Sequence, residues 1–155
     1  MSPPAEPNQT QQLEFVTLIA GGQNFCVEIT KIREIRRWTP VTILPHSPDY
    51  VLGVVNLRGS VIPIIDLAAK LGFEKIRPTE RHVIIITAID DRIVGLLVES
   101  VSEILGVSPD MVHETPRGHE DPSTRAIQGV IPGDDDMTKI INLDALLPNH
   151  EPVAA

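Results

Sequence analysis

The sequence predicts an all-β fold with short helices, built as two small β-barrels that share one apolar core. Apolar residues make up 42% of the 155-residue chain and aromatic residues only 3%, so the core must consist mainly of Ile, Val and Leu. Branched side chains of this kind suit strands. The 14 prolines and 10 glycines indicate many turns. A repeated order of short elements indicates two copies of one unit.

The first half of the chain is predicted to consist mainly of hairpins. Apolar, β-branched runs separated by Gly-containing turns predict strands at residues 13–20, 24–27, 51–57 and 61–67. The isoleucines at positions 29, 32 and 35 are spaced by three, which predicts one or two helical turns over residues 28–35. Residues 36–44 are predicted to be extended, and residues 66–71 to form a helical turn that Gly72 ends.

The second half shows the same kinds of segment. Strands are predicted at residues 82–88, 92–98, 127–132 and 137–143, and helical turns at 99–105 and 144–147. Residues 73–80 are polar and contain proline, which is typical of a connector, and residues 108–121 are predicted to be a loop.

An internal repeat relates the two halves. Residues 25–35 match residues 94–104 at an offset of 69 positions. Residues 53–55 match 129–131, and residues 64–67 match 140–143, both at an offset of 76. Each copy has several short strands, too few residues for a sandwich, and sheet edges that must be closed. Two small barrels with a common core are therefore the most economical arrangement.

The repeat also suggests the domain organisation. We expect a single domain over residues 13–147, with one subdomain at about 13–80, a second at about 81–147, and strands that can be exchanged between them. Residues 1–12 are polar and rich in Pro and Gln, and residues 148–155 are similar, so both are predicted to be disordered tails.

Charge and cysteine content narrow the function classes. The net charge of −8 and the isoelectric point near 5.0 argue against binding to nucleic acid or to an anionic membrane surface. Cys26 is the single cysteine, so neither an intramolecular disulfide nor a thiolate zinc site can form. No signal peptide and no apolar run of membrane-spanning length is recognisable, so we expect a cytosolic protein without membrane insertion.

No motif for catalysis or metal binding stands out. The histidines at positions 46, 82, 113, 119 and 150 lack the spacing of metal ligands, and Asp134–Asp136 lacks the alternating pattern of a calcium loop. We therefore expect no enzyme activity, no metal and no cofactor. Two alternatives stay open: a metal protein or enzyme that uses these histidines and aspartates, and a nucleic-acid-binding barrel that uses the basic residues 31, 33, 36 and 37 around Trp38.

Surface chemistry points instead to an interface. Arg58 lies at the tip of the hairpin over residues 51–67, and Glu34 lies between Ile32 and Ile35. Charged residues flanked by apolar ones are common at protein interfaces, where Arg and aromatic residues are enriched. The alternative is that Glu34 merely pairs with a nearby arginine on a wet surface.

These segments resemble the CheW family, the adaptors of bacterial chemotaxis arrays. The resemblance runs from Leu13 to about Leu147 and is carried by F-C-V at 25–27, I-R-E-I at 32–35, G-V-V-N-L-R-G at 53–59, P-I-I-D-L at 63–67 and V-E-S-V-S-E-I-L at 98–105. It implies two SH3-like five-stranded β-barrel subdomains around a shared hydrophobic core, and no catalysis. The implied partners are the regulatory domain of a CheA-type histidine kinase and the cytoplasmic tip of chemoreceptors (methyl-accepting chemotaxis proteins). A similar scaffold could also serve a receptor–kinase pathway outside chemotaxis.

The resemblance also places functional positions. The acidic and basic positions that matter for coupling fall on Glu34 and Arg58, and a functional glycine falls on Gly53. Apolar contact positions for receptor or kinase fall on Ile32, Ile35, Val83 and Ile104. Many members have glycine after E-I-R, where this chain has Arg37 followed by Trp38.

Overall fold

A computed structural model describes residues 12–114 and 126–146. In these residues the chain forms eleven strands, two short α-helices and two 3₁₀ helices. The predicted tails lie outside the described residues except for Gln12, as do His119, His150 and part of the predicted loop at 108–121. The strands are β1 (Leu13–Ala20), β2 (Gln23–Glu28), β3 (Ile32–Arg37), β4 (Val51–Leu57), β5 (Ser60–Asp66), β6 (Val83–Ile89), β7 (Arg92–Val98), β8 (Ser100–Val107), β9 (His113–Glu114), β10 (Ile127–Pro132) and β11 (Met137–Ile141).

The helices are short and follow the hairpins. Helix α1 (Leu67–Lys70) follows β5, and α2 (Leu143–Leu146) follows β11. Helix α1 is capped by the Asp66 side chain, and Gly72 just beyond it has a φ of 96°, so both predicted ends of this helical turn are confirmed. The 3₁₀ helices are Ile29–Lys31 and Pro109–Met111. Within the described residues, no helix is long and apolar enough to cross a membrane.

The strands form two sheets. The first has the order β8-β1-β2-β11-β10-β9 and the second the order β3-β6-β7-β5-β4. All pairs are antiparallel except β2 with β11 and β5 with β7. The predicted all-β class with two barrel subdomains and short helices is confirmed, and the first sheet has one strand more than predicted because the two residues of β9 join its edge.

The two sheets are related by the internal repeat. Val16 pairs with Ile104 in the first sheet, and Ile35 pairs with Ile85 in the second. Moving 69 positions along the chain carries Val16 onto Ile85 and Ile35 onto Ile104, so the two pairs are equivalent. Each sheet thus contains the first two strands of one copy of the repeat and the remaining strands of the other copy. The boundary near residue 80 stays a prediction, and neither sheet is built from one half of the chain alone.

The core has a shared part and a separate part in each sheet. Leu18, Phe25, Leu67 and Leu96, with residues of both sheets, form the shared cluster. Around Cys26 a second cluster draws only on the first sheet, and around Ile84 a third draws only on the second. Neighbouring residues of β2, β6 and β7 point alternately into the shared cluster and into their own sheet's cluster. Because both faces are buried, these strands are continuous apolar runs rather than alternating ones.

Burial also accounts for the lone cysteine. Cys26 is completely buried between β1 and β11, and desolvation raises the pKa of its thiol to about 12. A thiol with this pKa remains protonated at neutral pH and is a poor nucleophile. The residue therefore packs as a small apolar side chain.

Two helical predictions were wrong. Residues 28–35 are helical only over Ile29–Lys31 and then enter β3, and residues 99–105 lie almost entirely in strand β8. The pairing of β3 with β6 shifts between Ile32 and Glu34, and that of β1 with β8 shifts between Val16 and Leu18. Each shift places an extra residue in β3 or β8. Such a bulge converts the two-residue spacing of a strand into a spacing of three, which resembles a helical period.

Candidate partner-binding surface

Glu34 and Arg58, 24 residues apart in the chain, meet at the surface of the second sheet. One carboxylate oxygen of Glu34, Oε1, accepts a hydrogen bond from Arg58 Nη1 at 2.8 Å. The other, Oε2, accepts from Arg36 Nη1 at 2.9 Å. Glu34 and Arg36 alternate along β3 and so project from the same face. The carboxylate is thus held between two guanidinium groups, and the predicted pairing of Glu34 with a nearby arginine is present.

Arg58 is presented by a tight hairpin turn. It forms the two-residue connection between β4 and β5 with Gly59, and their φ values are 52° and 87°. Positive φ at both positions is the geometry of a type I′ turn, which matches the twist of the flanking strands. Asn56 Oδ1 accepts a hydrogen bond from the Gly59 amide at 3.0 Å and so fixes the turn. The Arg58 side chain is 76% exposed even though it contacts Glu34.

The two arginines determine the ionisation of Glu34. Hydrogen bonds from Arg58 and then from Arg36 lower the pKa of the Glu34 carboxyl, and partial desolvation opposes them. Because the pair is exposed, we expect it to fix the direction of these charges more than to stabilise the fold.

This lowered pKa predicts how stability depends on pH. A carboxyl whose pKa is lower in the folded chain stabilises the fold above its unfolded pKa, and this contribution disappears as the pH falls through the folded pKa. Glu34→Gln should therefore lower the melting temperature slightly at pH 7. The effect should decrease as the pH falls below about 4, the pKa of an ordinary Glu carboxyl, and disappear once Glu34 is protonated in the folded chain as well. Thermal unfolding followed by circular dichroism between pH 3 and 7 measures the difference. An equal effect of the substitution at both ends of this range would contradict the assignment.

Of the predicted apolar contacts, two lie at the surface. Ile35 is 45% exposed on β3 and Ile104 is 60% exposed on β8, at equivalent positions of the repeat. Each is on the edge strand of its sheet. By the alternation of β3, Ile35 points away from the face that carries Glu34.

The other predicted positions are more enclosed. Ile32 and Val83 are half-buried and pack against the shared core. Val83 also lines an open cleft with Arg37, His82 and Glu99. Gly53 is buried, and its backbone lies directly against the backbone of Thr42. The predicted contact of these three residues with a partner stays a prediction.

Sequence reasoning missed exposed apolar residues on both hairpins. Val61 on β5 is 65% exposed, and Met137 on β11, at the equivalent position of the repeat, is 56% exposed. Ile43, which precedes β4, is 77% exposed. The matching positions of Val61 and Met137 in the two copies were the signal that could have found them.

The aspartates of the alternative metal site lie in the β10–β11 hairpin. Asp136 Oδ2 accepts a hydrogen bond from Asn24 Nδ2 at 2.6 Å, which ties the β10–β11 hairpin to strand β2. Over residues 12–114 and 126–146, no three His, Cys, Asp or Glu side chains converge in a way that could hold a metal ion.

Comparison with known proteins shows close relatives along almost the whole chain. The CheW-like domain family matches residues 14–151. The probable chemotaxis protein CheW of Rhizobium etli is 47% identical over 142 residues, which are 92% of each chain. The chemotaxis protein CheW of Rhizobium meliloti is 46% identical with the same coverage. The crystal structure of the scaffolding protein TtCheW from Thermoanaerobacter tengcongensis superposes with a TM-score of 0.79 at 28% identity, covering 86% of this chain and 91% of that one.

Proposed function

The chain belongs to the CheW family, and on that premise we propose that it is a non-catalytic adaptor that couples chemoreceptors to a CheA-type histidine kinase in bacterial chemotaxis. The observation that carries the proposal is the near-complete match to relatives named as chemotaxis proteins, on a fold shared with a scaffolding protein. We place the adaptor in the cytoplasm, where receptor arrays would recruit it.

The duplicated fold suits a protein that holds two partners in a fixed relation. Ile35 and Ile104 expose apolar surface at equivalent edge strands of two sheets that share one core. An exposed apolar patch on a rigid support is typical of a docking site. One edge would receive the regulatory domain of the kinase, and a groove between the subdomains would receive the helical tip of a receptor.

The charged residues would orient these contacts. The Arg58 side chain is largely exposed at the hairpin tip, and Glu34 holds it in one direction. Charges at the rim of an interface contribute specificity and association rate more than affinity. The adaptor would change kinase activity only by contacting the active and inactive states of the assembly differently.

The proposal is tested by Arg58→Glu in a reconstituted assembly of receptor fragment, kinase and adaptor. The change places two carboxylates side by side and reverses the charge at the tip, while the turn itself stays on the surface. Like charges at an interface cost several kcal/mol, so we expect receptor-coupled kinase activation to fall by at least about tenfold.

Arg77→Glu is the matched control, because Arg77 is exposed in the connector before β6 and the substitution makes the same change in charge. It should leave activation near that of the parent chain. Full activation by Arg58→Glu, with an unchanged melting temperature, would remove Arg58 from the coupling surface. Failure of the parent chain to retain either partner in a pull-down would overturn the adaptor function itself.

A further inference from the structure

The repeat separates what the duplicated scaffold needs from what the first copy has added. The position of Glu34 corresponds to Glu103 in the second copy, so the carboxylate is present in both. Arg36 corresponds to Leu105 and Arg58 to Asp134, so neither arginine is repeated. In the part of the chain that the structure describes, Glu103 is exposed and forms no ion pair. The edge carboxylate of the second copy is thus present without a paired cation, so the two arginines are an addition particular to the first copy.

The arrangement of these arginines is unequal. Arg36 belongs to the same strand as Glu34, and its side chain is 36% exposed. Arg58 comes from a hairpin tip, and its side chain is 76% exposed. Each donates to a different oxygen of the carboxylate. Arg36 can therefore keep its bond to Glu34 when Arg58 moves away, and two guanidinium groups against one carboxylate leave one positive charge in excess.

We propose that Arg36 is a positioning residue that holds Glu34 while Arg58 transfers its hydrogen bond to a carboxylate on a bound protein partner. A guanidinium group forms strong, directed hydrogen bonds to carboxylates, so an Asp or Glu side chain is the group that Arg58 fits. Without Arg36, the released Glu34 would face the incoming carboxylate with no cation to compensate it. The inference rests on the proposed adaptor function, since the kinase or the receptor supplies the partner's carboxylate.

The test is the affinity of Arg36→Leu, which installs the residue that the second copy has at this position. Arg58 is then the only partner of Glu34, and the incoming carboxylate must compete with it. Interactions of exposed and partly exposed charges are worth up to about 1 kcal/mol each, so we expect a loss of about fivefold in affinity. Binding is measured by calorimetric titration of the receptor cytoplasmic fragment and of the kinase regulatory domain, separately and at constant ionic strength.

The double variant Glu34→Gln with Arg36→Leu distinguishes positioning from a general structural role. Removing the competing carboxylate frees Arg58, so the double variant should bind more tightly than Arg36→Leu. Damage to the sheet caused by Arg36→Leu would not be repaired by a second substitution beside it. The affinity of Arg36→Lys, which keeps the charge on a single ammonium group, should lie between those of the parent and Arg36→Leu. Arg36→Lys replaces Arg36→Leu in the test if the leucine variant does not fold.

Arg77→Leu controls for net charge. Arg77 is exposed in the connector before β6, and its replacement removes the same charge without touching Glu34 or the exposed face of β3. It should bind both partners as the parent does.

The outcomes separate the two proposals. Weaker binding of one partner by Arg36→Leu, with recovery in the double variant, supports the inference and identifies the partner that supplies the carboxylate. Parent-like binding by Arg36→Leu, no recovery in the double variant, or an equal loss in Arg77→Leu overturns the role of Arg36 and leaves the adaptor function standing. Absence of binding by the parent chain to either partner overturns both.

Discussion

Gly53→Val is expected to destabilise the protein by about 3–5 kcal/mol, because the new side chain would meet both a strained backbone and an occupied space. Gly53 has a φ of 152°, which favours glycine, and an added Cβ would lie 2.4 Å from the Thr42 carbonyl oxygen and 2.8 Å from Val41 Cγ2. Thr42 cannot simply withdraw, since it exchanges two backbone hydrogen bonds with Val54, at 2.9 and 2.8 Å. Urea unfolding followed by circular dichroism measures the loss.

Two other glycines provide controls for the Gly53 prediction. Gly129 is the equivalent residue of the second copy, and its φ is not in the positive range. An added Cβ there would lie 3.0 Å from the His113 carbonyl oxygen, so Gly129→Val should cost less than Gly53→Val. Gly59→Ala adds a methyl group to open space at a φ of 87°, so it should cost only the backbone strain, about 1 kcal/mol. A Gly53→Val variant as stable as Gly59→Ala would contradict the packing role.

This expectation bears on the predicted role of Gly53 in partner binding. A substitution that separates Thr42 from β4 would also displace the hairpin that carries Arg58. Any loss of binding in a Gly53 variant must therefore be compared with its loss of stability before a direct contact is assigned.

Asp66→Ala is expected to cost about 3 kcal/mol, since it removes two hydrogen-bond acceptors from a buried site. Asp66 is 1% exposed. Its Oδ1 accepts from the Ala69 amide at 3.2 Å and caps helix α1, and its Oδ2 accepts from the Ile76 amide at 2.8 Å and anchors the connector. Both amides would lose these partners in the variant.

Asp66→Asn is the matched variant, because the second copy has Asn142 at this position. Asparagine keeps one oxygen acceptor, so its cost should be about half that of alanine. Thermal unfolding measures both variants, and amide hydrogen exchange at Ile76 reports the connector directly. An Ile76 amide equally protected in Asp66→Ala and in the parent chain would show that the carboxylate does not anchor this segment.

Much of the fold could be predicted from residue patterns. Strands such as β6 and β7 are continuous Ile, Val and Leu runs because both of their faces are buried, and that composition can be read without knowing their partners. The hairpin turn at Arg58 and the cap at Asp66 are local features with local signatures. The candidate surface was partly predictable for the same reason: Glu34 and Arg58 were recognisable from motifs that surround them.

The errors arose where distant segments decide the outcome. The bulges in β3 and β8 exist because β6 and β1 pair with them in a shifted register, and the isolated sequence shows only an i, i+3 spacing. The exposure of individual side chains could not be predicted from the sequence either. Ile32 and Ile35 look alike in sequence, yet Ile32 packs against the shared core and Ile35 faces solvent.

The sequence by itself determined the number and kind of most strands, the duplication, and the absence of recognisable catalytic motifs. Tertiary structure alone decided that the first two strands of each copy join the sheet of the other, and that Glu34 is held by Arg58 and Arg36 together. The physical reason is that a segment forms a strand when its faces are buried, and the apolar composition of the segment shows this burial. Strand pairing and ion pairing depend instead on the relative positions of segments far apart in the chain.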